Sequence, residues 1–147
     1  WTNRDYPFYG QHGLGTSLVL YRNLVIMARD GSNEGEDKAL GWQTPWDQSF
    51  VVALDARTGN VVWKNKMSEF PDDKIGGIMM AKDKLLVGLT RCNTLDARNH
   101  CFIAGLEAST GKLLWKFYTV ARSGKPGGDT WGDLADDRRS GAESWFS

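Results

Sequence analysis

The sequence predicts an all-β protein, and specifically a partial β-propeller of about two four-stranded blades. Three observations predict this fold: repeated short apolar runs, a turn motif between them, and a high content of glycine and tryptophan. The chain of 147 residues contains 17 Gly and 7 Trp. So many turn-forming residues and large aromatic side chains favour short strands joined by tight turns, and they argue against long helices.

The strongest repeat relates residues 50–64 to residues 102–116. The two segments begin 52 residues apart, and 7 of their 15 positions are identical. Each copy has an apolar run, the motif Asp/Glu-x-x-Thr-Gly, and a second apolar run that ends in Trp63 or Trp115. The acid and the Thr can bind turn amides, and the Gly can adopt a positive φ, so each copy predicts a hairpin. We interpret the recurring Trp as a structural wedge that docks one repeat on the next.

A weaker repeat precedes each copy. Residues 17–26 resemble residues 77–87 when one gap is allowed, and both contain two apolar runs around a polar turn. Two hairpins make a four-stranded unit of about 50 residues, which is typical of a propeller blade. We therefore predict blades at about residues 14–65 and 75–120, and the start of a further blade at 139–147.

Composition excludes several classes of function. The chain has 18 Lys plus Arg and 18 Asp plus Glu, so its formal net charge is zero, which argues against nucleic acid as a partner. Its 2 Cys are too few for a disulfide-rich mini-protein, and His12 and His100 are too far apart in sequence to indicate a zinc site. The glycine patterns of nucleotide-binding loops are absent from the sequence.

The ends of the sequence suggest a piece of a longer protein. The chain begins at Trp1 without an initiator Met, and it stops at Ser147 directly after a glycine-rich segment. The open sheet edges of such a piece would be covered by the remaining blades of the parent chain. We therefore expect the isolated piece to be poorly stable or to associate.

The motif Asp-x-x-Thr-Gly-x-x-x-Trp resembles the tryptophan-docking motif of quinoprotein dehydrogenases. These are eight-bladed propellers that hold pyrroloquinoline quinone (PQQ), usually with calcium, near the propeller axis. Three further segments are similar to successive segments of that family: the loop bounded by Cys92 and Cys101, Lys-Pro-Gly-Gly-Asp-Thr-Trp-Gly-Asp-Leu at 125–134, and Arg-Ser-Gly-Ala-Glu-Ser-Trp at 139–145. Together with the docking repeats, the resemblance runs from Phe50 to the end of the chain, which is about two thirds of the sequence.

The resemblance implies part of a PQQ-dependent alcohol dehydrogenase. Such an enzyme oxidises a small-molecule alcohol to an aldehyde and passes electrons through the quinone to a cytochrome or other acceptor. It implies that Trp145 is a flat platform for the quinone, that Glu143 is a second cofactor contact, to the cation or to the quinone, and that Asn93 is a calcium ligand. The alternatives are one more blade-packing Trp, a surface Glu and a solvated loop Asn. Oxygen donors of this kind suit calcium. The family's catalytic Asp would lie beyond Ser147, so no catalytic residue is expected in this chain.

The resemblance also implies a disulfide between Cys92 and Cys101, with two unpaired thiols as the alternative. A disulfide indicates an oxidising compartment, here the periplasm. Ile75 stands near the position where the family has a quinone-contacting Thr, and Asn93 stands where many members have a calcium-binding Glu. Arg91 and Arg98 could pair with the carboxylates of a quinone, although ordinary surface salt bridges are the alternative.

The late loop and the class of function each have a further interpretation. The acidic residues of the late loop are interpreted as a solvated surface with local ion pairs to the adjacent Arg138 and Arg139; they are Asp129, Asp133, Asp136 and Asp137. The alternative function is a non-enzymatic propeller of the same repeat class, acting as a binding or outer-membrane assembly scaffold. The sequence that follows Ser147 in the parent would discriminate the two functions.

Overall fold

The computed structural model describes residues 1–5, 17–29, 49–69, 73–90, 92 and 100–141. It contains two four-stranded antiparallel sheets, in which the strands follow one another in chain order. The first sheet comprises β1 (Val19–Tyr21), β2 (Leu24–Arg29), β3 (Phe50–Asp55) and β4 (Val61–Lys66). The second comprises β5 (Lys74–Ala81), β6 (Lys84–Thr90), β7 (Phe102–Glu107) and β8 (Leu113–Tyr118).

The predicted all-β class is confirmed. Within the described ranges, the helical segments are two short 3-10 turns at Gly128–Trp131 and Asp136–Arg138. Each sheet is a meander, as expected for a propeller blade, and the two sheets form a partial propeller. Most of the predicted third segment at 139–147 lies outside the described residues.

The first hairpin of each sheet closes through a two-residue turn. Tyr21 pairs with Leu24 in the first sheet, and the equivalent pair in the second sheet is Ala81 with Lys84. The first turn residue has a positive φ in both hairpins, 55° at Arg22 and 57° in the equivalent turn. A positive φ at this position matches the twist of the flanking strands, so these two turns set the strand register.

The second hairpin of each sheet closes through the motif that the sequence predicted. One carboxylate oxygen of Asp55 accepts the backbone N–H groups of Arg57 and Thr58, both at 2.9 Å, and the Thr58 hydroxyl at 3.1 Å. These bonds, above all the one from the Thr58 N–H, hold the pKa of Asp55 below its ordinary value. Gly59 and Gly111 have φ values of 75° and 70°, so the predicted role of glycine in both turns is confirmed.

The two sheets pack face to face around a shared apolar core. Strand β5 lies against β1 and β2, and the core runs from the first sheet into the second. Fully enclosed members of this core include Ile26, Val51, Leu85, Val87 and Leu106. Strand β8 is different because all six of its residues are exposed. The second sheet therefore presents an open side at β8, as expected where a propeller continues.

We predict that Gly111→Ala destabilises the protein by about 2–4 kcal/mol. A Cβ at this position would overlap the indole of Trp63, and an L side chain at a φ of 70° adds strain. Gly124→Ala is the matched control, because Gly124 has a φ of 73° and nothing within 4 Å of its ideal Cβ. The Gly124→Ala variant therefore measures only the backbone strain of an L residue at positive φ, about 1 kcal/mol. Urea unfolding of the complete protein and of its two variants measures both costs, and equal losses for the two variants would contradict the packing argument.

Candidate functional site

Trp63 joins the two sheets by lying on the turn that follows β7. Its indole N–H donates to the carbonyl oxygen of Ala108 at 3.2 Å, and its ring packs directly on Gly111. Two residues further along β4, the Asn65 side chain donates to the carbonyl oxygen of Gly111 at 2.6 Å. Trp63 is only 8% exposed. One strand of the first sheet thus holds the turn of the second through one stacked ring and two hydrogen bonds.

The N-terminal residues make the same contact with the first sheet, which the sequence analysis did not foresee. The indole N–H of Trp1 donates to Ala56 at 2.9 Å, and its ring packs on Gly59. The Asn3 side chain donates to the carbonyl oxygen of Gly59 at 3.1 Å. The signal was present in the sequence, since Trp-x-Asn occurs both at residues 1–3 and at residues 63–65.

Trp115 has a different environment from the two docked tryptophans. It is 43% exposed, and its ring packs on Gly105 in the neighbouring strand of its own sheet. The residue two positions later is Phe117, where the docked tryptophans have Asn. The role of Trp115 as a wedge against a following repeat stays a prediction.

The residues proposed for cofactor and metal contact are not among those that the structure describes. Asn93, Glu143 and Trp145 all lie outside the described residues, as do Arg91 and Arg98. Ile75 is described, and its side chain is buried at the start of β5. The structure therefore informs on the residues that flank the predicted contacts.

A disulfide between Cys92 and Cys101 is present in the structure. Both residues are almost fully buried, and the backbone around the bond is tied on both sides. His100 donates its backbone N–H to Cys92 at 3.4 Å, and the backbone N–H of Thr119 donates to Cys101 at 3.0 Å. Closing a loop with a sequence separation of 9 contributes about 2–3 kcal/mol on the loop-entropy model. The bond closes the segment that contains Asn93.

Arg139 organises the loop that follows β8. It is 3% exposed and donates to the carbonyl oxygens of Leu134 at 2.9 Å and Ala121 at 3.0 Å, and to the Ser123 hydroxyl at 3.2 Å. Its guanidinium also pairs with the Asp136 carboxylate at 3.1 Å. These contacts tie both ends of the loop together directly before Ser140, where the predicted cofactor segment begins.

The predicted local ion pairs are confirmed by the pair between Arg139 and Asp136, whereas the interpretation of the loop as a solvated surface is wrong for Arg139. Its guanidinium has several donors and binds two loop carbonyl groups at once, and because the residue is 3% exposed it lies at the centre of the loop rather than on its surface. The same interpretation fits Asp129, Asp133 and Asp137, which are exposed. Asp136 is half-buried, and the backbone N–H of Ser123, its hydroxyl and the nearby arginines lower its pKa.

A second polar cluster, also unforeseen, lies in the cleft between the two sheets. The Asp73 carboxylate accepts a hydrogen bond from the Ser68 hydroxyl and contacts His100 Nε2 at 2.5 Å. Ser49 donates its hydroxyl to the carbonyl oxygen of Asp73 at 2.6 Å. The Asp73 side chain is 2% exposed. The cluster ties the connection between the sheets to the residue beside Cys101, and no local motif in the sequence marks it.

Two cavities open beside this cluster, with volumes of about 270 Å³ and 740 Å³. They share His100, Lys116 and Tyr118. Among the described residues, no group of three or more His, Cys, Asp or Glu is placed to hold a metal ion. A search of the same residues finds no helix with the length and apolar character needed to cross a membrane.

Parts of this sequence are similar to known proteins. No protein-family profile matches the chain. It is 32% identical over 72 residues to the quinohemoprotein alcohol dehydrogenase ADH IIB of Pseudomonas putida, a match that covers 48% of this chain and 10% of that protein. It is 33% identical over 93 residues to the dehydrogenase subunit of alcohol dehydrogenase (quinone) of Gluconobacter oxydans, covering 57% of this chain and 12% of that protein.

This chain is similar in sequence to a part of quinone-dependent alcohol dehydrogenases. It spans about a tenth of the length of the curated relatives that it matches. A europium-containing methanol dehydrogenase is similar in structure, with a TM-score of 0.50 and 22% identity over 71% of this chain and 15% of that chain. At that identity the structural likeness shows the propeller fold alone, so the relation to quinoprotein dehydrogenases rests on sequence.

We predict that Arg139→Ala opens the loop at 119–141. The substitution removes three part-buried hydrogen bonds that the charged guanidinium donates, a loss of about 3 kcal/mol that favours local unfolding. Chymotrypsin cleavage at Trp131 and Leu134 should become at least roughly tenfold faster. Arg138→Ala is the matched control, since Arg138 is exposed. Equal cleavage rates in the two variants would show that the buried guanidinium does not hold the loop.

Proposed function

We propose that this chain forms part of the propeller of a PQQ-dependent dehydrogenase that oxidises an alcohol to an aldehyde. The observation that carries the proposal is the 33% identity over 93 residues to a quinone-dependent alcohol dehydrogenase subunit. That match extends over more than half of this chain, and it agrees with the repeated docking contacts of Trp1 and Trp63. The rest of the parent chain would complete the ring and supply the catalytic residue.

The residues proposed for the cofactor have suitable chemistry. Glu143 offers a carboxylate and Asn93 an amide oxygen, and hard oxygen donors of this kind suit calcium. Trp145 offers the largest flat apolar side chain, which suits a planar quinone. PQQ, when bound, supplies the acceptor for the two electrons of the alcohol. The task of this chain is then to bind and orient: Glu143 and Asn93 hold the metal, and Trp145 holds the plane of the cofactor.

Described residues close to the proposed contacts support this assignment, one before Glu143 and Trp145 and two on either side of Asn93. The buried Arg139 anchors the backbone directly before Ser140 and Gly141, two residues ahead of the segment with Glu143 and Trp145. The disulfide anchors the loop that carries Asn93. A contact whose backbone is fixed at one end loses less conformational entropy when it binds a ligand.

The proposed cellular setting follows from the disulfide and from the relatives. A buried disulfide is stable in an oxidising compartment, which supports the periplasm. Electrons would leave the quinone for a cytochrome or another acceptor of the parent protein or its partner subunit.

One observation favours a second candidate, a propeller of the same repeat class that binds a partner without a quinone. Ile75 is buried and apolar near the position where the resemblance places a quinone-contacting Thr. An isoleucine cannot donate a hydrogen bond to the cofactor. The two candidates differ in whether the complete protein binds PQQ.

The test uses the complete parent protein, purified without PQQ and then mixed with PQQ and Ca²⁺. We expect saturable PQQ binding by absorbance, and dye-linked oxidation of primary alcohols that requires both additions. Glu143→Gln should raise the Ca²⁺ concentration needed for PQQ binding by roughly tenfold or more, because the site loses its carboxylate charge. Glu69→Gln is the matched control, since Glu69 is exposed and pairs with Lys66.

The outcomes separate the two candidates. Absence of saturable PQQ binding by the complete, folded protein would overturn the dehydrogenase proposal and leave the binding propeller. Binding with equal Ca²⁺ dependence in the Glu143 and Glu69 variants would instead contradict the assignment of Glu143.

A further inference from the structure

The larger cavity beside β8 combines positive charge with aromatic walls. It has a volume of about 740 Å³, within the range of sites that hold small organic ligands. Lys116, Arg122 and Lys125 contribute its cationic groups. Tyr118 and Trp131 contribute aromatic rings, and the described residues that line the cavity include no Asp or Glu. A site of this kind is complementary to an anion with a flat apolar body.

The most informative cationic group of the cavity is the Lys116 ammonium. Although Lys116 is exposed as a residue, its ammonium lies 4.1 Å from the centre of the Phe102 ring, and partial desolvation there lowers its pKa. No described carboxylate forms an ion pair with it, in contrast to Lys66 with Glu69 and Lys84 with Asp83. A partly desolvated cation without an opposite charge is destabilised, and an anionic ligand would relieve that cost.

The alternation of β8 places Lys116 in the cleft between the two sheets. Residues 113, 115 and 117 share one face of the strand, and residues 114, 116 and 118 share the other. In the equivalent strand β4, Trp63 points forward to the next sheet in the chain. By the same pattern Trp115 points forward, so Lys116 and Tyr118 point back towards the first sheet. A following blade packed on the Trp115 face would therefore leave these two side chains uncovered.

The other polar groups around the cavity are held in place by neighbours. His100 contacts the buried carboxylate of Asp73 at 2.5 Å. The guanidinium of Arg122 donates to the carbonyl oxygen of Asp136 at 2.7 Å. Tyr118 packs edge-on against Phe102 with 6.1 Å between ring centres. Side chains fixed in this way lose little entropy on binding, so the walls are preorganised.

We propose that this cavity binds a planar organic anion, specifically an aromatic carboxylate. The carboxylate lies between Lys116 and Arg122, with Lys125 at the loop edge, and the ring of the ligand packs between Tyr118 and Trp131. An Arg fork and a Lys ammonium are both suited to a carboxylate, and offset aromatic contacts hold the flat body. The site uses none of the residues assigned above to the quinone or the metal. The proposal of an anion site therefore does not depend on the proposed dehydrogenase function.

The test is calorimetric titration of the complete protein with 2-naphthoate, with 2-naphthamide as a neutral probe of nearly the same shape. We expect saturable binding of 2-naphthoate that weakens with added salt, and at least roughly tenfold weaker binding of the amide. Lys116→Met keeps much of the packing on Phe102 but removes the charge, and it should weaken 2-naphthoate binding roughly tenfold. Lys125→Met, on an exposed loop position, should weaken it by a smaller factor without affecting folding.

Lys112→Met is the matched control, because Lys112 lies before the opposite end of β8 and is exposed. It should leave 2-naphthoate binding unchanged. The proposal is overturned if the complete protein shows no saturable binding, or if acid and amide bind equally. It is also overturned if folded Lys116→Met and Lys125→Met both bind 2-naphthoate as tightly as Lys112→Met does.

Discussion

The structure depends on the contact between the Trp63 indole and the glycine turn that ends at Gly111. The contact needs a flat ring on one sheet and a turn without a side chain on the other. Gly111 suits this turn for two reasons. It adopts the positive φ that the turn requires, and its missing Cβ leaves room for the ring. The hydrogen bond from the indole to Ala108 and the bond from Asn65 then fix the angle between the partners. Each sheet needs the other sheet in order to bury its inner apolar face.

Repetition of this contact turns a pair of sheets into a propeller. Trp1 and Asn3 bind the Gly59 turn as Trp63 and Asn65 bind the Gly111 turn. A contact that passes from each unit to the next, always in the same direction, produces a curved array rather than a closed pair. Strand β8 exposes several apolar side chains, and a further unit docked there by the same contact would cover them.

The sequence predicts the fold well because the fold is local and repeated. The Asp55 and Gly59 turn could be predicted from a five-residue motif, since the bonds from the Arg57 and Thr58 amides to the Asp55 carboxylate lie within that motif. Trp1 could have been recognised from its shared Trp-x-Asn pattern, but a motif with two fixed positions is noticed only after its partner contact is known.

The polar groups that shape the candidate sites could not be predicted from local motifs. Arg139 and the Asp73–His100 pair could not be predicted, because their partners lie up to 27 residues away and no spacing rule joins them. Burial decides their role, and burial is a property of the assembled fold. The late loop illustrates the point: its acids are exposed as composition suggests, whereas its last arginine lies at its centre.

The most direct test of this account is a double-mutant cycle between Trp63 and Gly111, followed by urea unfolding. Trp63→Phe and Gly111→Ala each disrupt the same contact, so the double variant should lose less stability than the two single losses added together. We expect a coupling of about 1–2 kcal/mol. The parallel cycle of Trp115→Phe with Gly111→Ala should show none, because Trp115 packs on Gly105. Additive losses in the Trp63 cycle would contradict the claim that this contact joins the sheets.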